Sequence, residues 1–247
     1  METVQIGPFY VNWSLLSGII AAVAAYAAVA LVIRRTEWRS SSLMDLIFNT
    51  MVIGFLGWKL APYVLQPAMI WRSPLKGLLM QGGLYAILIG AAAATLYLFI
   101  RGFRSQLPLR LIMDALGYGA AILLAVRALI GGARYGSLTD LPWGITLSDP
   151  AYRYHPIHIY ELLLAISILL IFAIRRIWPG PGRAGELFCL VGGGGLIAIS
   201  LVMTGESAAM LLTVRQWLML LLCVIGLILP RLYILWDDTR KKELDSR

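Results

Sequence analysis

Residues 154–161, YHPIHIYE, gather two histidines, two tyrosines and a carboxylate within eight positions. An imidazole ordinarily titrates at about 6.5, within reach of neutral pH, so His155 is the best placed general base in the chain. Tyr160 and Glu161 are placed to orient it or the segment before it. Pro156 suits the first turn of a helix. His155, His158 and Glu161 would then follow at steps of three and share roughly 120° of helix surface. Such a cluster admits three uses: a metal site, a hydrogen-bonded post that fixes a loop, or acid–base chemistry. A metal has the least support, because the chain holds only two histidines.

Other ionisable groups lie inside apolar runs, where a charge is costly and marks a functional candidate. Lys59 and Arg127 fall roughly 22–24 Å along their helices at 1.5 Å rise per residue. Gln81, with Gly82 and Gly83, stands near the start of the helix between them. The two cations could snorkel to headgroups, or converge with the His155 cluster on an anionic headgroup. Asp45, Asp114 and Glu186 instead open helices 2, 4 and 6, where a carboxylate complements the positive end of its own helix dipole. Gly192–Gly195 is read as a stripe of small residues that lets membrane helices approach closely. No GxSxG elbow and no Ser/His/Asp arrangement is present.

The elements that must position these groups follow from composition. Of 247 residues, 60% are apolar and 14% charged, and mean hydropathy is +0.79. A soluble domain carries about 25% charged residues, so soluble, disordered and disulfide-rich secreted classes are excluded. Seven windows reach the roughly 20 apolar residues of a spanning helix: about 11–33, 44–66, 78–100, 111–131, 157–174, 185–205 and 214–236. The expected fold is an all-α integral membrane protein of seven transmembrane helices. It forms one polytopic domain over 1–247, with an outer loop at about 132–156. The opening METVQIGPFY lacks a basic n-region and a cleavage site, so the first run reads as a retained helix. Cys189 and Cys223 lie in apolar runs, against a disulfide framework or CxxC metal site.

The net charge of +8 comes in short clusters between apolar runs, with no basic stripe for nucleic acid. Segments after helices 1, 3, 5 and 7 carry 13 Lys and Arg residues, against 5 on the opposite side. The positive-inside rule then puts the N-terminus outside and the C-terminus in the cytoplasm. No repeat of the kind found in many transporters is visible.

Several stretches, in order, resemble the prolipoprotein diacylglyceryl transferases, a family of bacterial membrane enzymes with seven crossings. IGPFYVNW is similar to that family's start, and GWKLAPYV stands where its second helix has a GGRIGYV-like stretch. LLMQGGLYAILIGA resembles its HGG-containing third helix, with Gln81 at the His. GARYGSLTDLPWG resembles the end of its signature loop, and HPIHIYELLL its HPSQLYE-type segment. GELFCLVGGGG and TVRQWLMLLLCVIGLIL are similar to its last two helices. The chain also departs from the pattern. Its AVRALIGGARYG stands where the family has GRxGN followed by GE, so Arg127 aligns only across a gap of about two residues. Ile197, Leu201 and Thr204 stand at the Arg, Glu and Arg of RFxxExxR in helix 6.

The resemblance implies transfer of diacylglyceryl from phosphatidylglycerol to the lipobox cysteine of a prolipoprotein, in a bacterial cytoplasmic (inner) membrane, with no cofactor or metal. Partners would be these two substrates and membrane lipid. The reaction needs a thiolate, since a free cysteine has a pKa of about 8.5, and stabilisation of the phosphate leaving group. Arg127 is the expected phosphate clamp, because a guanidinium binds phosphate in bidentate fashion, and Lys59 a second cation. Catalytic residues would be His155, Arg127, Tyr160 and Glu161. Lys59, Gln81, Gly82, Gly83, Arg134 and Gly136 would bind substrate. Glu206 or Arg215, from the outer end, could offset the helix 6 losses. The alternative is a family member that binds phospholipid or lipoprotein without turnover; a flippase is disfavoured by the missing repeats.

Overall fold

A computed structural model of the chain describes residues 3–6, 9–34, 41–74, 77, 82–105, 107–147, 149–177, 180–203 and 212–245. Strands β1 (Thr3–Ile6) and β2 (Phe9–Asn12) pair antiparallel, Thr3 opposite Asn12. Helices α1 (Trp13–Arg34), α2 (Ser41–Leu65), α3 (Ala68–Arg72), α4 (Leu84–Arg104) and α5 (Leu109–Ile130) follow. Then come β3 (Tyr135–Leu138), β4 (Ile145–Thr146), β5 (Arg153–Pro156), α6 (Ile157–Ile174), α7 (Arg183–Ser200) and α8 (Val214–Asp245). Among the described residues seven helices, all but α3, are long and apolar enough to cross a membrane. The chain is a multi-pass membrane protein.

Two compact units divide the chain: 1–38 with 108–247, and 39–107. In the first, α5 is the central helix, packed on α1, α6 and α7, while α8 lies along α7. The face that α1 turns inward repeats every four residues, Ser17, Ala21, Ala25, Val29 and Ile33. That spacing is one helical stripe, and its small members let the neighbouring backbone come near. In the second unit α2 lies on α4 through Gly54, Gly57, Gly90, Ala93 and Ala94.

Four elements differ from the sequence expectation. Helix α4 begins at Leu84 with Gly83 as its N-cap, six residues after the expected start; 78–81 lie outside the described residues. Helix α7 stops at Ser200, because Val202 leaves the helix to accept the Ser137 backbone N–H at 2.8 Å. Helix α8 runs on to Asp245, carrying the basic tail on a helical extension. The outer loop contains a three-stranded sheet in the order β3–β5–β4.

Asp114 departs further. It lies in the second turn of its own helix rather than at the start, and is fully buried. Its carboxylate accepts backbone N–H groups from Gly180 and Gly182 (both 2.8 Å), Ala184 (2.7 Å) and Gly185 (3.0 Å). Three of these, from Gly182, Ala184 and Gly185, are donors that the start of α7 leaves without intrahelical partners. Gly182 takes φ +90°, and a Cβ there would stand 2.5 Å from the Tyr233 ring, so glycine is required on both counts. The glycine stripe of α7 acts as expected at Gly193, where a Cβ would lie 2.7 Å from Cys223 Sγ on α8. The turn Phe188–Gly192 beside it is π-helical.

Candidate active site

At the end of the first unit that carries the sheet, charged groups from three elements meet on one carboxylate. Glu161, in the second turn of α6, is buried with 3% of its side chain exposed. Arg134, just before β3, grips it with both terminal nitrogens, Nη1 to Oε1 at 3.2 Å and Nη2 to Oε2. Arg215, in the first turn of α8, reaches Oε1 through Nη2 at 3.4 Å and Met203 Sδ through Nη1 at 3.2 Å. Arg127, exposed in the last turn of α5, lies within electrostatic reach of Arg134, Glu161 and Arg215. Its Nη1 is 3.6 Å from where a Cβ on Gly18 of α1 would stand, so the guanidinium lies beside α1.

Local sequence explains the positions. Thr213 and Gln216 form a capping box at the start of α8: Thr213 Oγ1 accepts the Gln216 N–H (3.2 Å) and Gln216 Oε1 accepts the Thr213 N–H (2.8 Å). Gln216 Nε2 also donates to Ser200 Oγ at 3.1 Å, tying the start of α8 to the end of α7. Arg134 is fixed through its backbone. Its carbonyl accepts the Ile157 N–H at 3.0 Å, and His158 Nδ1 lies 3.2 Å from its N and 3.1 Å from its O. Gly136 is needed for close approach, since a Cβ there would stand 2.1 Å from the Val202 carbonyl oxygen.

His155 falls on β5 rather than on the helix, so the shared helical face expected for it with His158 and Glu161 does not form. The cause is the pairing of Pro156 with Tyr135, which extends the strand and delays the helix to Ile157. Its partners are Tyr160, whose hydroxyl is 2.9 Å from Nδ1, and through it Trp143, whose indole N–H donates to that hydroxyl at 3.0 Å.

The remaining expected residues belong to the second unit or lie outside the described residues. Lys59 is half-buried with Nζ 5.5 Å from the centre of the Trp58 ring. Gly82 and Gly83 border an apolar cavity of about 130 Å³ together with Pro62 and Met69. Gln81 and Glu206 lie outside the described residues.

In the sequence Glu161 and Arg134 stand out singly but not as a pair, and Arg215 only as a substitute cation. One signal was available. A cation in the first turn of a helix opposes the helix dipole, so Arg215 needed an acidic partner.

Residues 2–232 match the sequence model of the prolipoprotein diacylglyceryl transferase family. A phosphatidylglycerol–prolipoprotein diacylglyceryl transferase from Pseudomonas fluorescens is 26% identical over 252 residues, 94% of this chain and 90% of that protein. The protein of the same name from Streptomyces griseus is 35% identical over 130 residues, 48% of this chain and 38% of that one. A second, from Streptomyces coelicolor, is 32% identical over 131 residues, 48% and 36% respectively. The chain thus spans less than two fifths of the Streptomyces relatives. With the match over residues 2–232 reaching all seven spanning helices and the sheet between α5 and α6, the chain belongs to the prolipoprotein diacylglyceryl transferase family.

Proposed function

We propose that this chain transfers diacylglyceryl from phosphatidylglycerol to the cysteine thiol of a lipoprotein precursor, at the outer face of a bacterial inner membrane. The observation that carries the proposal is the meeting of Arg134 and Arg215 on buried Glu161, with Arg127 in electrostatic reach. Among the described residues of this cluster the cations outnumber the carboxylate three to one. Guanidiniums held in place by a buried carboxylate are suited to a phosphate, both bound and as a leaving group. Glu161 is proposed as the carboxylate that orders them, Arg127 and Arg134 as phosphate ligands, and Gly136 as the residue that keeps β3 against Val202.

In the proposed reaction the cysteine sulfur forms a bond to the glyceryl carbon as that carbon's bond to the phosphate oxygen breaks. The electron pair leaves with glycerol phosphate and the thiol proton is released. His155, steadied by Tyr160, is the group proposed to act beside the reacting atoms. The distribution of Lys and Arg supports an outer placement of this end.

Complementation tests the reading. In bacterial cells depleted of their own transferase, this chain should restore growth and lipoprotein lipidation, and Arg134→Ala should reduce lipidation at least tenfold. A wild-type chain that inserts in the membrane and gives no lipidation would instead favour binding without turnover.

A further inference from the structure

One of the two hydrogen bonds at the Tyr160 hydroxyl has a fixed direction. A tryptophan indole N–H is a donor only, so the Tyr160 hydroxyl oxygen must accept at its 3.0 Å contact with Trp143. Accepting that bond polarises the phenol O–H and makes it a better donor. Among the described residues the acceptor offered to that proton is His155 Nδ1, at 2.9 Å. A neutral imidazole that accepts at Nδ1 carries its proton on Nε2. Trp143 is well placed to set this direction. Its side chain is 57% exposed, yet its N–H is turned onto Tyr160 rather than left to the surroundings.

The turn that presents Trp143 is tied down on both sides. Leu141 N–H donates to Thr139 Oγ1 at 3.2 Å and Gly144 N–H to the Leu141 carbonyl at 3.0 Å. Thr139 N–H reaches the Arg153 carbonyl at 2.9 Å, and Ile145 pairs with Tyr154, the residue before His155. Tyr154 pairs with Leu138 on its other side. The strand that carries His155 and the turn that carries Trp143 are therefore parts of one sheet.

We infer that Trp143 is a positioning residue: through the Tyr160 hydroxyl it holds neutral His155 with its proton on Nε2, so that the ring meets its reactant as a hydrogen-bond donor. This differs in sense from the general base expected of His155 in the sequence. Its chemical consequence rests on the transferase reading above. Nε2–H then donates to the phosphate oxygen that receives the electron pair of the breaking carbon–oxygen bond. The cysteine sulfur takes the glyceryl carbon, its proton goes to solvent, and glycerol phosphate leaves as the dianion.

Because the chain has two histidines, nitrogen NMR of the full-length protein labelled at histidine, in phosphatidylglycerol nanodiscs at a pH where both rings are neutral, reads the tautomers directly. His158, tied to the Arg134 backbone, serves as the internal control. The wild type should show His155 unprotonated at Nδ1 and protonated at Nε2. Trp143→Phe should mix the two tautomers and lower kcat about fivefold, the size of one lost neutral hydrogen bond, with KM little changed and the His158 signals unmoved. Tyr160→Phe should remove the preference altogether, and it carries the same test should Trp143→Phe fail to accumulate. A wild-type His155 protonated on Nδ1, or His155 signals and kcat unaffected in Trp143→Phe, would overturn the inference. A wild type that forms no thioether yet shows the fixed tautomer would remove the transferase reading and support the relay.

Discussion

Glu161 meets two guanidiniums while almost wholly buried, and this single carboxylate organises the charged end of the first unit. A hydrogen bond to a charged group is worth about 1.5–3 kcal/mol, and Arg134 and Arg215, with 33% and 29% of their side chains exposed, can share the loss with solvent. Glu161→Gln strands Arg134 and Arg215 together, so its thermal unfolding in detergent should shift down by a cost of that order. Arg215→Ala leaves Glu161 its two bonds from Arg134 and should cost about 1 kcal/mol. Equal melting temperatures for Glu161→Gln and wild type would show that the cluster is not held by this carboxylate. These types and their spacing were readable along the chain at Glu161 and Arg134. Their partnership was not, because 27 residues separate Arg134 from Glu161 and 54 separate Glu161 from Arg215, and nothing local in the sequence encodes that closure.

Among the elements, α7 illustrates how a helix start can be completed from elsewhere. Its first-turn donors are met by Asp114 of α5, not by a residue of its own, and the Gly182 carbonyl accepts the Tyr233 hydroxyl at 3.2 Å from α8. Asp114→Asn would set an amide NH₂ against two of the four N–H donors, at a cost of about 1–3 kcal/mol for each donor left unmet. Hydrogen exchange should therefore speed up at the Gly182, Ala184 and Gly185 amides while β3 to β5 remain as protected as before. Unchanged exchange at those three amides would mean that the carboxylate does not cap α7. The apolar windows located all seven helices, since length and hydropathy are properties of the chain itself. Their ends were less readable. Pro156 suits both a helix start and a strand end, and the choice was made by Tyr135 across the sheet. The stop at Ser200 depends on the Val202 carbonyl reaching Ser137, a contact over 65 positions.

For the whole molecule, the seven spans and the 13-to-5 partition of basic residues give one direction of insertion under the positive-inside rule. In a background without Cys189 and Cys223, a cysteine at Asp149 should react with a membrane-impermeant maleimide in intact cells. One at Arg175 should react only after permeabilisation. The reverse pattern would place the Arg134–Glu161 cluster on the cytoplasmic side and remove its access to an outer-leaflet substrate. On the proposed function this cluster handles a phospholipid phosphate during transfer of the glyceryl group, and that role has a direct test. The test is mass spectrometry of a lipobox peptide incubated with the purified full-length protein and phosphatidylglycerol vesicles. The peptide should become heavier by one diacylglyceryl group at cysteine, with an equal amount of glycerol phosphate released and both lost in Arg134→Ala. An unmodified peptide, with folded wild-type protein and bound phosphatidylglycerol, would contradict that role.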